Sequence, residues 1–205
     1  MVATRGADRT DDMSGAIYQR VLDFWFLPET DPAHGEQRPE WFRKDTAFDA
    51  QIRQRFGDDI ERAVAGEFRE WDSDPRGALA RILLLDQFTR NVFRDSPRAF
   101  AGDALAQAAA RAMVDGGHDR LLAPSKRWFV YMPFEHAEDI ALQERSVALF
   151  KALEREPGLA DIAEYAVRHR DIIARFGRFP HRNRILGRTS TAGETEFLRQ
   201  PGSGF

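Results

Sequence analysis

Hydrophobic positions recur with helical spacing along almost the whole chain. Phe48, Ile52, Phe56, Ile60 and Val64 stand four apart, a stripe that drifts slowly round a 3.6-residue helix yet keeps one broad apolar face. That spacing predicts a helix from a cap at Thr46 to Gly66. Upstream, Ile17, Val21, Phe24 and Trp25 form the face of a first helix, capped by Ser14 and ended before Pro28. Pro28, Pro32, Gly35 and Pro39 then forbid regular structure, with Trp41 and Phe42 expected to pin the far end of this loop into the core. Asp74-Pro75 is a cap followed by a first-turn proline. Leu79, Ile82, Leu83 and Phe88 follow on a helix apolar almost all round, which should therefore be central.

The second half continues in the same way. An alanine-rich helix is expected from Ala101 to Val114, closed by Gly116-Gly117, then a short one from Ser125 to Tyr131, interrupted by Pro133. Ala137 to Leu153 and Leu159 to Phe176 read as longer helices, the latter turning Ile162, Tyr165, Ala166, Ile172 and Ile173 inward and stopping at Gly177. Pro180 can restart a helical turn to Leu186, and Thr191 with Glu194 forms a capping box for a last short helix. No segment alternates with period two for long. The expected fold is all-α, an irregular stack of antiparallel helical hairpins over residues 14–205, with residues 1–13 a flexible leader; the regular 34-residue repeat framework is not found.

Composition narrows the class. With 205 residues, 42% of them hydrophobic and 16 of them Phe, the chain can bury a substantial core. A net charge of −3 is too balanced for a surface devoted to nucleic acid or acidic membrane. Without cysteine there is no disulfide, thiolate metal site or cysteine nucleophile. The absence of a long apolar run and of a signal-like start leads to an expected cytoplasmic location without membrane contact.

Three polar clusters interrupt the apolar helices. The first, at the end of LLLDQFTRN, places Asp86 and Arg90, and Gln87 and Asn91, at i,i+4 spacing on one ridge: a cleft wall, or a helix-end ion pair with solvated amides. In the second, PFEHAED, His136 can be oriented by Glu138 or Asp139, although acids in a first helical turn also simply offset the macrodipole. The third runs from Arg168 to Arg188 with seven Arg, two His and one acid; it carries +6 and leaves −9 on the rest of the chain. Arg175, Arg178, His181, Arg182 and Asn183 surround a tight corner there that suits a phosphate or carboxylate. An internal salt-bridge network explains the same residues, and nucleic acid, stacked on Phe176 and Phe179, is disfavoured by the acidic remainder. No G-x-S-x-G elbow and no dinucleotide glycine motif occurs, and no metal site is expected.

The motifs LLLDQFTRN, PFEHAED and HRDIIARFGRFPHRNRILGR, with LDFWF near the start and FLRQPGSGF at the end, are similar to a bacterial family catalogued as domain of unknown function 924. The likeness spans about Val21 to Phe205 and implies a tetratricopeptide-like helical fold. It implies no activity or cofactor, and its motif positions are Asp86, Gln87, Arg90, Asn91, His136, Glu138, His169, Arg175, Arg178, His181, Arg182 and Asn183. Where the family pattern often reads Met-His-Ser-Glu, this chain has Phe134-Glu135-His136-Ala137-Glu138, so Ala137 removes a serine nucleophile. The leading expectation is one cleft in which Arg175, Arg178 and Arg182 hold a small anion. Asp86, Gln87, Arg90, Asn91, His169 and Asn183 would line it, with His136, His181 and Glu138 as proton-transfer groups. The rival is a helical interaction module that grips an acidic peptide or C-terminal carboxylate in a long open groove.

Overall fold

A computed structural model of the protein describes residues 7–204, with side chains from Ile17 onward. Among the described residues there are eight helices and no strand. They are α1 (Ala7–Phe26), α2 (Thr46–Val64), α3 (75–92), α4 (Asp103–Asp115), α5 (Pro124–Glu135), α6 (Ile140–Leu153), α7 (Ile162–Phe176) and α8 (Ala192–Leu198). Helix α3 is α-helical over Pro75–Ile82, widens to a π-helical stretch over Leu83–Phe88 and tightens again over Thr89–Val92.

Every residue of α3 from Gly77 to Thr89 is buried, as its all-round apolar pattern requires of a central helix. Helix α1 lies against α3, α2 against the π stretch, and from α3 onward each helix packs on the next as far as α7. Aromatic rings fill the junction: Trp25 meets Trp41, Phe48, Phe88 and Phe129 with centroids 5.4–6.1 Å apart. A smaller cluster of Ile172, Ile173 and Phe179 closes the far end.

Several local expectations shift. The first helix reaches back to Ala7, so Ser14 lies within it, and residues 1–6 of the expected leader fall outside the described residues. The cap of α2 is Asp45, whose carboxylate accepts from the Ala47 and Phe48 N–H groups, one residue before Thr46. Trp41 is buried through a 3.0 Å bond from its indole to the Trp25 carbonyl, but Phe42 is half exposed and stacks on Trp128. Pro133 does not break α5. In the last turn its missing N–H removes one bond only, and the helix runs on to Glu135.

Helix α6 starts at Ile140 because Asp139 caps it by accepting from Leu142 N–H. Asp161, with φ of 64°, prevents α7 from starting before Ile162, and Tyr165 turns out to solvent. The alanine-rich helix begins at Asp103, after a 3-10 turn Pro97–Phe100, and the helical turn at Pro180 stops at Arg182. The capping box of Thr191 and Glu194 forms as expected.

Candidate functional site

The π stretch of α3 creates the site. Widening a helix strands backbone carbonyls, and here side chains one turn on satisfy them: Thr89 Oγ1 donates to Leu85 O (2.8 Å) and Arg90 Nη1 to Asp86 O (2.9 Å). Gly102, just before α4, fits against this bulge because it lacks a Cβ; one placed there would collide with the Leu85 carbonyl. The wider turn leaves Asp86 almost completely buried, 1% exposed, with its carboxylate aimed at the end of α5.

Asp86 Oδ1 accepts from His136 Nδ1 at 2.7 Å and from Arg90 Nη1 at 3.0 Å, while Gln87 Nε2 donates to Oδ2. Burial opposes its ionisation, but the Arg90 guanidinium, and then His136, outweigh burial and hold the carboxyl well below the usual carboxylate range. For His136, burial and the Arg90 charge push the pKa down against the pull of Asp86, so the ring is neutral at pH 7. An ionised Asp86 can only accept, so the proton sits on Nδ1 and Nε2 keeps its lone pair. Arg90 is neutralised a second time by two bonds to Asp103, at 2.8 and 3.1 Å.

Beside this pair lies a second one of opposite character. Glu135 Oε1 stands 3.1 Å from His169 Nδ1, close enough for an ion pair. Both shifts argue for neutral partners instead. Burial, with the Asp86 charge added, pushes Glu135 up to about 8, and burial drives His169 down to about 3 although its Nδ1 also bonds the Tyr165 carbonyl at 2.8 Å. Glu135 is thus a protonated acid at neutral pH, adjacent in sequence to a neutral imidazole.

These groups open on a cleft of about 680 Å³ lined by Gln87, Arg90, Asn91, Glu135, His136 and His169 from the three clusters. Its mouth carries Arg43 and Lys44, both exposed, and its walls are Trp41, Phe42, Trp128, Met132 and Tyr165. Arg94, also at the mouth, is bound to Asp49, which accepts from Asn91 as well. A second cleft of about 600 Å³, between α1 and α2, contains none of the expected site residues.

The remaining expected residues lie elsewhere. Arg178 grips Glu194 with two bonds, 2.6 and 2.8 Å, and thereby braces the capping box of α8. Arg182 is buried between the Phe100 and Phe179 rings, 4.6 Å from each centroid, and donates to the His136 carbonyl. Asn183 bonds Ser190 and accepts from Arg188, and Arg175 is exposed over Phe176. His181, tilted against Phe179, does not line the cleft.

Glu138 accepts from the Phe179 N–H and from Arg188, and Asp139 caps α6, so neither orients His136; that partner is Asp86. The reason is that α5 ends at Glu135, so Glu138 and Asp139 do not continue on one helical face with His136. Arg43, Lys44, Phe42, Trp128 and Met132 are cleft residues that the sequence reading left out of the site. The adjacent aromatic and basic pairs in WFRK were the one local signal for them.

Over residues 21–202 the chain matches the family model described as "Bacterial protein of unknown function (DUF924)". The structure of the protein of unknown function ATU0120 from Agrobacterium tumefaciens is similar, with 39% sequence identity and a TM-score of 0.78 over 90% of this chain and 98% of that one. No functionally curated protein matches the chain. Among the described residues no helix is long and apolar enough to cross a membrane.

Proposed function

Because the chain belongs to the DUF924 family of bacterial proteins, whose function is unknown, we propose a function from the cleft itself: it binds a small anionic molecule that carries a flat or apolar portion. The observation that carries this reading is the lining of the cleft. His136 Nε2 has no protein partner among the described residues, and Arg43 and Lys44 at the mouth form no ion pair there. Exposed cations without an acid partner attract an anion, and the half-exposed Phe42, stacked on Trp128 with centroids 5.0 Å apart, offers a flat face beside them. Gln87 and Asn91 supply amides within the same wall. A compact cleft of this volume suits a metabolite better than the long open groove that a peptide needs.

Isothermal titration with aromatic and aliphatic carboxylates and with organic phosphates tests the reading. Arg43→Ala and Lys44→Ala should each weaken binding about 2- to 10-fold, more at low salt, as expected for exposed charge-assisted contacts. The apo melting temperature should not move, since neither side chain is buried. Binding unaffected by the double variant would refute this placement of the anion.

A further inference from the structure

The cleft contains more than binding requires. Two polar atoms on adjacent residues face it: His136 Nε2, with a lone pair, and Glu135 Oε2. Among the described residues neither has a protein partner, and neither is one of the sealed, unpartnered polar atoms of the interior. The hydrogen bonds behind them differ in kind. His136 is held at Nδ1 by a carboxylate that is itself fixed by Arg90 and Gln87, whereas Glu135 has only the imidazole edge of His169 at Oε1. A base and an acid side by side, their proton affinities set by separate surroundings, are the equipment for moving a proton between two atoms of one substrate.

We propose that the cleft catalyses proton transfer at carbon on an enolisable carbonyl compound bearing a carboxylate or phosphate, with His136 as base and Glu135 as acid. This rests on the anion-binding reading above and names its substrate class. Arg43 and Lys44 take the anionic group and Phe42 a flat substituent. His136 Nε2 removes a proton from the carbon next to the carbonyl. The C–H electron pair becomes the enol C=C bond, the carbonyl π pair moves to oxygen, and that oxygen receives the proton of Glu135 Oε2. Return of the proton from Nε2 to carbon, and of the enol proton to Glu135, restores both groups without any co-reactant. Asp86 is a positioning residue: it keeps Nδ1 protonated so that Nε2 stays basic. The absence of serine at position 137 and of any cysteine agrees with chemistry that needs no covalent nucleophile.

The pH dependence is specific. Asp86 and Arg90 from α3, Asp103 from α4, His169 from α7 and Arg182 from the following turn surround the pair. Among them Glu135, pushed up to about 8, is the group that titrates just above neutrality. Activity should therefore hold at pH 7 and fall as pH rises past about 8, and Glu135→Gln, which can hydrogen-bond the carbonyl oxygen but not protonate it, should lower the rate and remove that alkaline limb.

Phenylpyruvate and dihydroxyacetone phosphate are the probes, followed by NMR for deuterium exchange at the carbon next to the carbonyl in D2O, with binding measured in the same samples. The expected result is exchange above the buffer rate for at least one probe. His136→Gln and Asp86→Asn should each lower it 100-fold or more, while Arg178→Ala, remote from the cleft, retains it. Probe binding with exchange at the buffer rate overturns the catalytic inference and leaves the binding reading standing. Failure of both probes to bind overturns both. A wild-type rate that rises steadily through pH 8–9 also overturns the inference, and that readout does not depend on any variant folding.

Discussion

Replacing Asp86 by Asn removes one charge from a fully buried ionic group behind the cleft wall, and the structure bounds the cost. Three donors converge on this carboxylate: His136 Nδ1 at 2.7 Å, Arg90 Nη1 at 3.0 Å and Gln87 Nε2. Stranding the partner of a buried ion pair costs about 3–5 kcal/mol. Arg90 is not stranded, because Asp103 keeps it through bonds of 2.8 and 3.1 Å. The loss then reduces to charge-assisted hydrogen bonds, about 1.5–3 kcal/mol. At about 2–4 °C per kcal/mol for a chain of this size, Tm should fall by about 3–12 °C at pH 7. Asp86 has a folded pKa below its unfolded value, so its stabilisation is complete above the unfolded pKa and is lost as pH falls through the folded one. The gap between wild type and variant should be constant from pH 5 to 7 and narrow in acid. Thermal unfolding followed by circular dichroism at pH 7, 5 and 3 measures it. Equal Tm values at pH 7, or a gap that widens towards pH 3, would refute the claim that Asp86 is an ionised, triply bonded anchor.

The other predictions concern separate parts of the molecule. Glu135 is raised when folded, so its contribution is full below the unfolded pKa near 4.5 and is lost as pH rises through about 8. Wild-type stability should fall across that window by up to about 1.4 kcal/mol per pH unit, and denaturant titration of Glu135→Gln should show the slope removed. Gly102→Ala should destabilise by about 1–3 kcal/mol, because its Cβ would press on the Leu85 carbonyl backbone rather than on a yielding side chain; an unchanged Tm would argue against the close approach of α4 to the π stretch. Arg178→Ala should lower Tm by several degrees, since it removes the charged partner of the buried Glu194 and leaves it only the neutral donors Thr191 N–H and Asn183, yet ligand titration should find the cleft unaffected.

What the residue pattern makes legible is helical placement. The four-residue stripe of Phe48, Ile52, Phe56, Ile60 and Val64, the Asp74-Pro75 start and the Thr191–Glu194 box are local signals, and each appears where its local chemistry puts it. What no local pattern encodes is which partner a charge finds. The Arg-rich stretch from Arg168 to Arg188 has the composition of an anion site, but Arg178, Arg182 and Arg188 are used internally by Glu194, the His136 carbonyl and Glu138.

His136 and Asp86 were each visible as candidates. Their pairing was not, because it spans fifty residues and depends on a π stretch with no sequence mark. Phe42 and Tyr165 misled for a different reason. Both are large aromatics at apparently inward positions, and both are left on the rim of the cleft, where an apolar ligand face has a use for them.

The central claim is that His136 is a neutral base whose Nδ1–H is fixed by Asp86 and whose Nε2 is open to the cleft. Long-range 1H–15N NMR of the histidine rings, at pH 7 to 8 and with phenylpyruvate added, tests this most directly. The account predicts a His136 ring protonated at Nδ1 alone throughout that range, with Nε2 the nitrogen whose resonance moves on ligand addition. A ring protonated at Nε2, or doubly protonated at pH 7, would contradict it.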